Sequence, residues 1–220
     1  MILAKIFLIF HTKNMEIYEH RCYTIDALCK ANNYFFPRRI MESFEKRIDG
    51  EQKYKGVIVN VMLDRAQLCD GSVVRREVVE HPGGATVLPI DDEGYCYCVR
   101  QFRYPFQKMM LEAPAGKLEY GEDPMECAVR ELSEETGFTA DEITYLGPIC
   151  SSPGFSTEVL HIYMARGLHR GESHPDEGEF LSVEKHHIDE LVSMAMSGEL
   201  DDGKTVIAVL KAKRILDSEK

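Results

Sequence analysis

The chain has 220 residues, of which 44% are hydrophobic and 29% are charged. This is an ordinary globular composition, so it excludes a largely disordered or fibrous protein. The length favours one compact domain with a short accessory element. Twenty-six Lys and Arg against 37 Asp and Glu give a net charge of −11. We therefore expect no nucleic-acid partner, because contacts from basic side chains to phosphates dominate that affinity.

The cysteines and the first ten residues bear on the cellular compartment. The seven cysteines are scattered and include no CxxC pair, so neither a disulfide framework nor a zinc ribbon is predicted. Cys96 and Cys98 lie two apart in a strand-like run, and we expect them to fill space on one face. Thiols in this number favour a reducing cytoplasm. The apolar run at 1–10 is shorter than the about 20 residues of a membrane span, so we expect no membrane partner.

Composition changes near residue 41, and regular patterns begin only after it. We expect an N-terminal extension over residues 1–40, an N-terminal β region over 41–82 and the main domain over 83–220. Two interpretations of residues 1–40 stay open. They are an upstream in-frame extension outside the native protein, with Met41 as the natural start, or an N-terminal arm without fixed structure.

Apolar alternation and short apolar runs place the strands. Strands are predicted at 57–63, 73–80, 84–90, 95–101, 107–112 and 157–165. Asp70-Gly71 and residues 91–94 are turn signals between consecutive strands. Two helical patterns, at 188–196 and 205–216, end the chain. These elements predict a strand-rich α+β fold with one central helix and a helical C-terminal end.

The stretch GKLEYGEDPMECAVRELSEETGF at 116–138 carries the central helix. Asp123 is a good helix cap, Pro124 suits the first helical position and Gly137 provides a left-handed stop. We therefore predict a helix over 124–136. At 100° per residue, one arc of this helix is apolar and is predicted to be its buried face: Met125, Ala128, Val129, Leu132 and Thr136.

Three carboxylates, those of Glu131, Glu134 and Glu135, share a different arc of this helix, with Arg130 at its edge. Like charges three and four positions apart repel each other, at a cost of about 0.2–0.5 kcal/mol per pair. Hard divalent cations prefer such oxygen ligands. A solvated acidic face explains the same pattern, and the helix alone does not decide between these two interpretations.

The residues that flank this helix provide a more specific signal. The stretch resembles the signature of the Nudix hydrolase family, with every fixed position matched over 23 residues. The matching residues are Gly116, Glu122, Arg130, Glu131, Leu132, Glu134, Glu135, Gly137 and Phe138. The resemblance implies a Nudix-type α/β/α sandwich with a mixed central sheet and an N-terminal antiparallel strand region. It also implies hydrolysis of nucleoside diphosphates that are linked to another moiety.

Further matches, from about residue 45 onward, narrow the resemblance to the ADP-ribose pyrophosphatase (ADP-sugar hydrolase) branch. Pro153, sixteen residues beyond Gly137, lies at the position of a proline that marks this branch. Similar segments occur at 75–85, 99–105 and 112–117. This branch implies Mg²⁺-dependent hydrolysis of ADP-ribose and related ADP-sugars to AMP and ribose 5-phosphate, with Mn²⁺ as a possible substitute. It further implies a homodimer in which the strands at 56–63 and 73–80 cross to the partner.

The resemblance also implies roles for individual residues. It implies metal binding by Ala115 (through its carbonyl), Glu131, Glu135 and Glu179, catalytic roles for Arg130, Glu134 and Glu177, and substrate binding by Arg76 and Arg103. Glu177 and Glu179 lie in an acidic loop whose length varies in the family, and which of them is the catalytic base stays open. An arginine fork suits phosphate, but a surface salt bridge is the alternative for Arg76 and for Arg103.

Two alternative functions stay open. The first is a Nudix pyrophosphohydrolase that acts on another nucleotide sugar or on a nucleoside triphosphate. The second is a non-catalytic module that senses ADP-ribose; because degenerate modules usually lose signature glutamates and all are present here, the sequence disfavours it. An acidic protein and an anionic substrate repel each other unless cations intervene, so the net charge favours a metal-dependent mechanism.

Overall fold

The structure is a computed structural model that describes residues 44–174, 178 and 180–219. The predictions for residues 1–40, and those for Glu177 and Glu179, lie outside the described residues. The described residues divide into two units, a first of residues 44–46 and 67–73 and a second of residues 47–66, 74–174, 178 and 180–219. In the first unit, Asp70 accepts hydrogen bonds from the backbone N–H and the hydroxyl of Ser72, which confirms the predicted turn.

The described residues form ten strands and three α-helices. The strands are β1 (Lys46–Lys55), β2 (Asn60–Gln67), β3 (Val73–Glu80), β4 (Gly84–Pro89), β5 (Tyr95–Arg103), β6 (Lys108–Glu112), β7 (Ala115–Lys117), β8 (Phe138–Cys150), β9 (Val159–Arg170) and β10 (Leu181–His187). The helices are α1 (Pro124–Thr136), α2 (Ile188–Ser197) and α3 (Gly203–Ser218). None of the described helices has both the length and the hydropathy of a membrane span. The predicted α+β class is confirmed.

The strands form three sheets, in the orders β1-β2-β3, β10-β5-β6 and β7-β4-β9-β8. The four-stranded sheet is mixed, because β4 pairs parallel with β9 and antiparallel with β7, while β8 pairs antiparallel with β9. α1 packs on one face of this sheet. α2 and α3 join the hydrophobic core on its other face. The predicted sandwich with a mixed central sheet is therefore confirmed.

Strand β9 shows how the sheet divides the core into two. Ile162 and Met164 pack in the cluster that includes α2 and α3, whereas Tyr163 and Ala165 pack in the cluster that includes α1. All four are buried, as expected for a central strand whose two faces are both covered by helices. Cys96 and Cys98 are buried together in the first cluster, which confirms their predicted packing role.

The structure adds four strands that the sequence analysis did not predict: β1, β7, β8 and β10. β1 is exposed along its whole length, so its sequence KRIDGEQKYK has no apolar alternation to detect. The strand predicted at 57–63 was wrong in its start, because β2 begins at Asn60. Val57 and Ile58 lie in the preceding loop and are exposed, so the alternation there does not mark a buried face.

The bounds predicted for α1 are confirmed, together with both of its ends. The Asp123 carboxylate accepts a hydrogen bond from the Met125 backbone N–H at 2.8 Å, and Gly137 follows the helix with a φ of 72°. A Cβ at Gly137 would lie 2.8 Å from the Glu172 carbonyl carbon and 2.8 Å from the Ser173 backbone nitrogen. The glycine is therefore required both by its conformation and by the close approach of another chain segment.

Replacing Gly137 with Ala is expected to destabilise the protein more than replacing Gly121, the matched control. Gly121 has a similar φ of 79°, but a Cβ there meets no atom within 4 Å. Both variants have the strain of a left-handed alanine, about 1–2 kcal/mol. Gly137→Ala adds a collision with backbone that costs about 1–3 kcal/mol more. Urea denaturation measures the difference. Equal losses in the two variants would mean that residues 172 and 173 can move away at no cost.

Candidate active site

The N-terminal half of the Nudix-like signature places β7 directly against α1. β7 pairs with β4, which fixes its backbone in the central sheet. The Ala115 backbone N–H donates a hydrogen bond to Glu135 Oε2 at 3.1 Å. At Gly116, an added Cβ would lie 1.7 Å from Glu131 Oε1, so this carboxylate fills the space beside the glycine. Ala115 therefore lies beside Glu135, and the next residue of β7 lies beside Glu131, the other helix glutamate predicted as a metal ligand.

Arg130 joins three acidic side chains of the signature. Its Nε donates to Glu122 Oε1 at 2.9 Å, and its Nη1 donates to Glu131 at 2.6 Å and to Glu134 at 2.9 Å. Hydrogen bonding to Glu122 raises the pKa of Arg130, and the same contact lowers the pKa of Glu122. The guanidinium therefore holds together carboxylates whose mutual repulsion would otherwise separate them.

The buried face of α1 includes Ala128, Leu132 and Thr136, as predicted, but differs from the prediction at other positions. Met125 and Val129, which were predicted to be buried, are each 44% exposed, whereas Glu131 and Glu135 are only 8% and 2% exposed. Glu131 turns inward because Gly116 leaves room for it, and Glu135 does so because the Ala115 N–H binds it. A periodicity that counts apolar residues cannot detect this, since it treats every carboxylate as a surface group.

The donors at this site are those that a hard cation requires. Buried carboxylates are costly unless they are hydrogen-bonded or bound to a metal, and Glu131 and Glu135 supply oxygen ligands close to the Ala115 backbone. Within residues 44–174, 178 and 180–219, no group of three or more His, Cys, Asp or Glu side chains is arranged to hold a metal ion. Arg130 neutralises Glu131 and Glu134 in this arrangement, so a cation must compete with the guanidinium for their oxygens.

A cleft of about 810 Å³ opens beside β7 and is lined by Ala115–Lys117. This volume is typical of a small-molecule site. The lining is mixed. Its charged residues include Arg103, Glu112, Asp202 and Lys204, and its apolar residues include Ile58, Phe106, Met110, Ile149, Leu160 and Ile207. The cleft therefore combines apolar surface with a small set of ionic groups, next to the buried glutamates of α1.

Arg103 makes a two-point ion pair inside this cleft. Its Nε and Nη2 donate to the two oxygens of Glu112 at 2.6 and 2.5 Å. The Lys204 ammonium contacts the same carboxylate, which is 1% exposed. Burial raises the pKa of Glu112, but hydrogen bonds from Arg103 and the charge of Lys204 outweigh burial and hold that pKa below its usual range. The hydrogen bond to Glu112 raises the pKa of Arg103.

The other predicted substrate-binding residue, Arg76, lies on β3 and is exposed. It donates to the Arg75 carbonyl at 3.1 Å and is not part of the described lining of the cleft. The structure instead places Glu112 and Lys204 in the cleft, and the sequence analysis assigned a role to neither. Two signals were available: Glu112 opens the segment at 112–117 that resembles the ADP-sugar branch, and Asp202 and Lys204 lie just before the helical pattern at 205–216, which is not specific.

The comparisons with known proteins agree with this geometry. The sequence model of the NUDIX domain matches residues 80–208, more than half of the chain. The chain belongs to the NUDIX family. The family predicted from the signature is thus confirmed, and Nudix hydrolases generally use divalent metal ions, in agreement with the oxygen donors on α1.

Two curated relatives and one solved structure are informative. The chain is 41% identical to a methanol dehydrogenase activator from Bacillus methanolicus over 167 residues, which is 75% of this chain and 90% of that protein. It is 38% identical to an ADP-ribose pyrophosphatase from Bacillus subtilis over 180 residues, which is 80% of this chain and 97% of that protein. The fold is also similar to that in a crystal structure of an ADP compounds hydrolase, with a TM-score of 0.71 and 20% sequence identity. The match covers 80% of this chain and 95% of the hydrolase chain. This last likeness supports the Nudix fold.

Replacing Gly116 with Ala is expected to weaken binding of divalent metal, because the new methyl group displaces the Glu131 carboxylate. Loss of a group that orients a ligand typically costs about 10–100-fold in metal affinity. Titration with Mn²⁺, followed by electron paramagnetic resonance, measures the change. Gly154→Ala is the control, since a Cβ there meets no atom within 4 Å. Wild-type affinity in Gly116→Ala would contradict a role for Glu131 as a ligand.

Proposed function

We propose that this chain hydrolyses the pyrophosphate bond of ADP-ribose, and of related ADP-sugars, to give AMP and ribose 5-phosphate. The observation that carries the proposal is the juxtaposition of two buried glutamates, Glu131 and Glu135, with a cleft that contains Arg103 and Lys204. Anionic ligands for a cation thus lie beside a cleft in which the Arg103 guanidinium can bind a phosphate. The 38% identity to the ADP-ribose pyrophosphatase of Bacillus subtilis supports this choice of substrate.

Mg²⁺ is the proposed metal, with Mn²⁺ as a substitute. Glu131, Glu135 and the Ala115 carbonyl would hold it, with Glu179 as a further ligand. When bound, the metal would neutralise the substrate's negative charge and lower the pKa of the attacking water. Oxygen donors alone do not distinguish Mg²⁺ from Mn²⁺, and the preference for Mg²⁺ rests on the resemblance to the ADP-sugar branch.

The protein's own residues position the reactants. Arg130 orients Glu131 and Glu134 through the hydrogen bonds described above. Glu177 accepts a proton from the attacking water. The oxygen of that water bonds to one phosphorus atom, and the bond from that phosphorus to the bridging oxygen breaks. Arg103 binds a substrate phosphate from the wall of the cleft, and Arg76 adds a contact from β3.

A second candidate function rests on a different comparison. The relative with 41% identity is described as an activator of methanol dehydrogenase, so we propose activation of a dehydrogenase as the second candidate role of this chain. The two functions are separable by experiment. A dehydrogenase assay with and without the chain tests activation, whereas a substrate panel of ADP-ribose, GDP-mannose and ATP tests hydrolysis and its specificity.

We further propose that the chain is a homodimer formed through its N-terminal β region at 41–82, with 83–220 as the Nudix domain. β1 is exposed along its whole length, and its exposed residues include Ile48 and Tyr54. Ile58, in the loop between β1 and β2, is exposed and lines the cleft. A second copy packed on this region would therefore lie next to the cleft and reduce the exposed apolar surface.

Purified protein is expected to release AMP and ribose 5-phosphate from ADP-ribose with Mg²⁺ and not with EDTA. In Glu135→Gln the turnover number is expected to fall at least about 100-fold, because the variant loses a charged oxygen ligand. Chromatographic separation of the products measures the rate.

Glu126→Gln is the matched control, since Glu126 lies on the same helix but is exposed. It is expected to retain wild-type turnover. Full activity in EDTA, or full activity of Glu135→Gln, would contradict the metal-dependent mechanism. Tight binding of ADP-ribose without turnover would favour the sensor alternative.

The dimer proposal predicts that Ile48→Asp elutes as a monomer, because a charge on an exposed strand opposes association. Size-exclusion chromatography with light scattering gives the mass. Met196→Asp on α2 is the control, since Met196 is also exposed but lies outside the N-terminal β region. A wild-type protein that is monomeric while fully active would overturn the proposal.

A further inference from the structure

The first turn of α3 is tied to the backbone that leads into β7. Asp202 caps the helix, because its Oδ2 accepts hydrogen bonds from the Thr205 backbone N–H at 3.0 Å and from the Thr205 hydroxyl at 2.5 Å. The buried Thr205 hydroxyl oxygen in turn accepts a hydrogen bond from the Ala113 backbone N–H at 2.7 Å. The helix start and the segment that carries Ala115 are therefore one connected unit.

Lys204 lies between two carboxylates in this turn. Its ammonium contacts Glu112, and it lies 3.0 Å from the same Asp202 oxygen that caps the helix. The Lys204 side chain is only 11% exposed, so its charge is largely removed from water. A buried ammonium is costly unless it is paired, and the two carboxylates provide that pairing.

Charge balance in the cleft depends on this lysine. Arg103 and Lys204 supply two positive charges, and Glu112 and Asp202 supply two negative charges, so the four groups are neutral together. Without Lys204 the group has a net negative charge, and Arg103 becomes the only cation that contacts Glu112 among the ion pairs described. Both changes oppose the approach of a phosphate.

Arg103 retains donors for a substrate while it is bound to Glu112. A guanidinium has five N–H donors, and the two bonds to Glu112 use one at Nε and one at Nη2. The Arg103 side chain is 39% exposed and lines the cleft. Its orientation is therefore fixed by Glu112 on one edge, while further N–H groups remain for an oxyanion.

We propose that Lys204 is a positioning residue for substrate binding. It neutralises Glu112, so that Arg103 is held in place by that carboxylate yet remains attractive to a substrate phosphate. The inference rests on the proposed function, since it concerns a phosphate-containing substrate in the same cleft. Lys204 acts through Arg103 and does not itself contact the substrate.

The test compares Lys204→Met with Lys211→Met. Lys211 is the matched control because it lies on the same helix and donates to the Leu146 carbonyl at 2.7 Å, away from the cleft. In Lys204→Met the KM for ADP-ribose is expected to rise at least about 10-fold while kcat changes less than about threefold, the signature of lost uniform binding. Lys204→Arg keeps the positive charge, so its KM is expected to lie close to that of the wild type. Urea denaturation of each variant separates this effect from unfolding.

A double-mutant cycle with Arg103→Met tests whether Lys204 affects KM through Arg103. Because Lys204 acts through Arg103, adding Lys204→Met to Arg103→Met is expected to raise KM by less than about twofold. The same 10-fold rise in both backgrounds would overturn the inference, and so would an unchanged KM in Lys204→Met alone. Absence of wild-type turnover instead counts against the proposed function. In that case calorimetric titration gives the dissociation constant of ADP-ribose, which is compared in place of KM. Equal dissociation constants for the wild type and Lys204→Met would overturn the inference.

Discussion

Burial of the Glu131 and Glu135 carboxylates on α1 is the constraint on which the rest of the site depends. A carboxylate removed from water must have hydrogen-bond donors or cations around it. The Arg130 guanidinium supplies donors for Glu131, and the Ala115 backbone supplies one for Glu135. Gly116 supplies the space, since any side chain there would occupy the position of the Glu131 carboxylate. A helix, an arginine and a glycine on the neighbouring strand are thus needed together.

The spacing of the signature follows from this requirement. Gly116 must lie on β7 to face Glu131, so the chain needs a turn between the strand and the start of the helix at Asp123. Glu122, in that turn, accepts from Arg130 eight residues later and from the Glu119 backbone, which closes the loop onto the helix. Gly137 then ends the helix where another segment passes close to it. Each fixed residue type thus meets a steric or electrostatic requirement of the region where β7 packs against α1.

The sequence predicts some of these features well because their causes are local. α1 was located by its cap and its stop, and β4 by residues that are apolar on both faces. β1 was missed because a wholly exposed strand has no apolar pattern. The pairing of Lys204 with Glu112 was also missed, since the two residues are 92 positions apart and only the fold brings them together. The inward turn of Glu131 depends on a missing side chain on another element, which helical periodicity does not include.

A net charge of −11 is compatible with a polyanionic substrate, because distance and salt screening weaken the repulsion between most surface carboxylates and a substrate inside the cleft. At physiological salt the Debye length is about 8 Å, so most surface carboxylates have little influence inside the cleft. Among the charges inside the cleft, those of Arg103 and Lys204 balance those of Glu112 and Asp202. Long-range repulsion slows the encounter of like-charged partners and weakens as salt is added. The cleft and its cations, more than the charge of the whole chain, therefore decide whether a pyrophosphate binds.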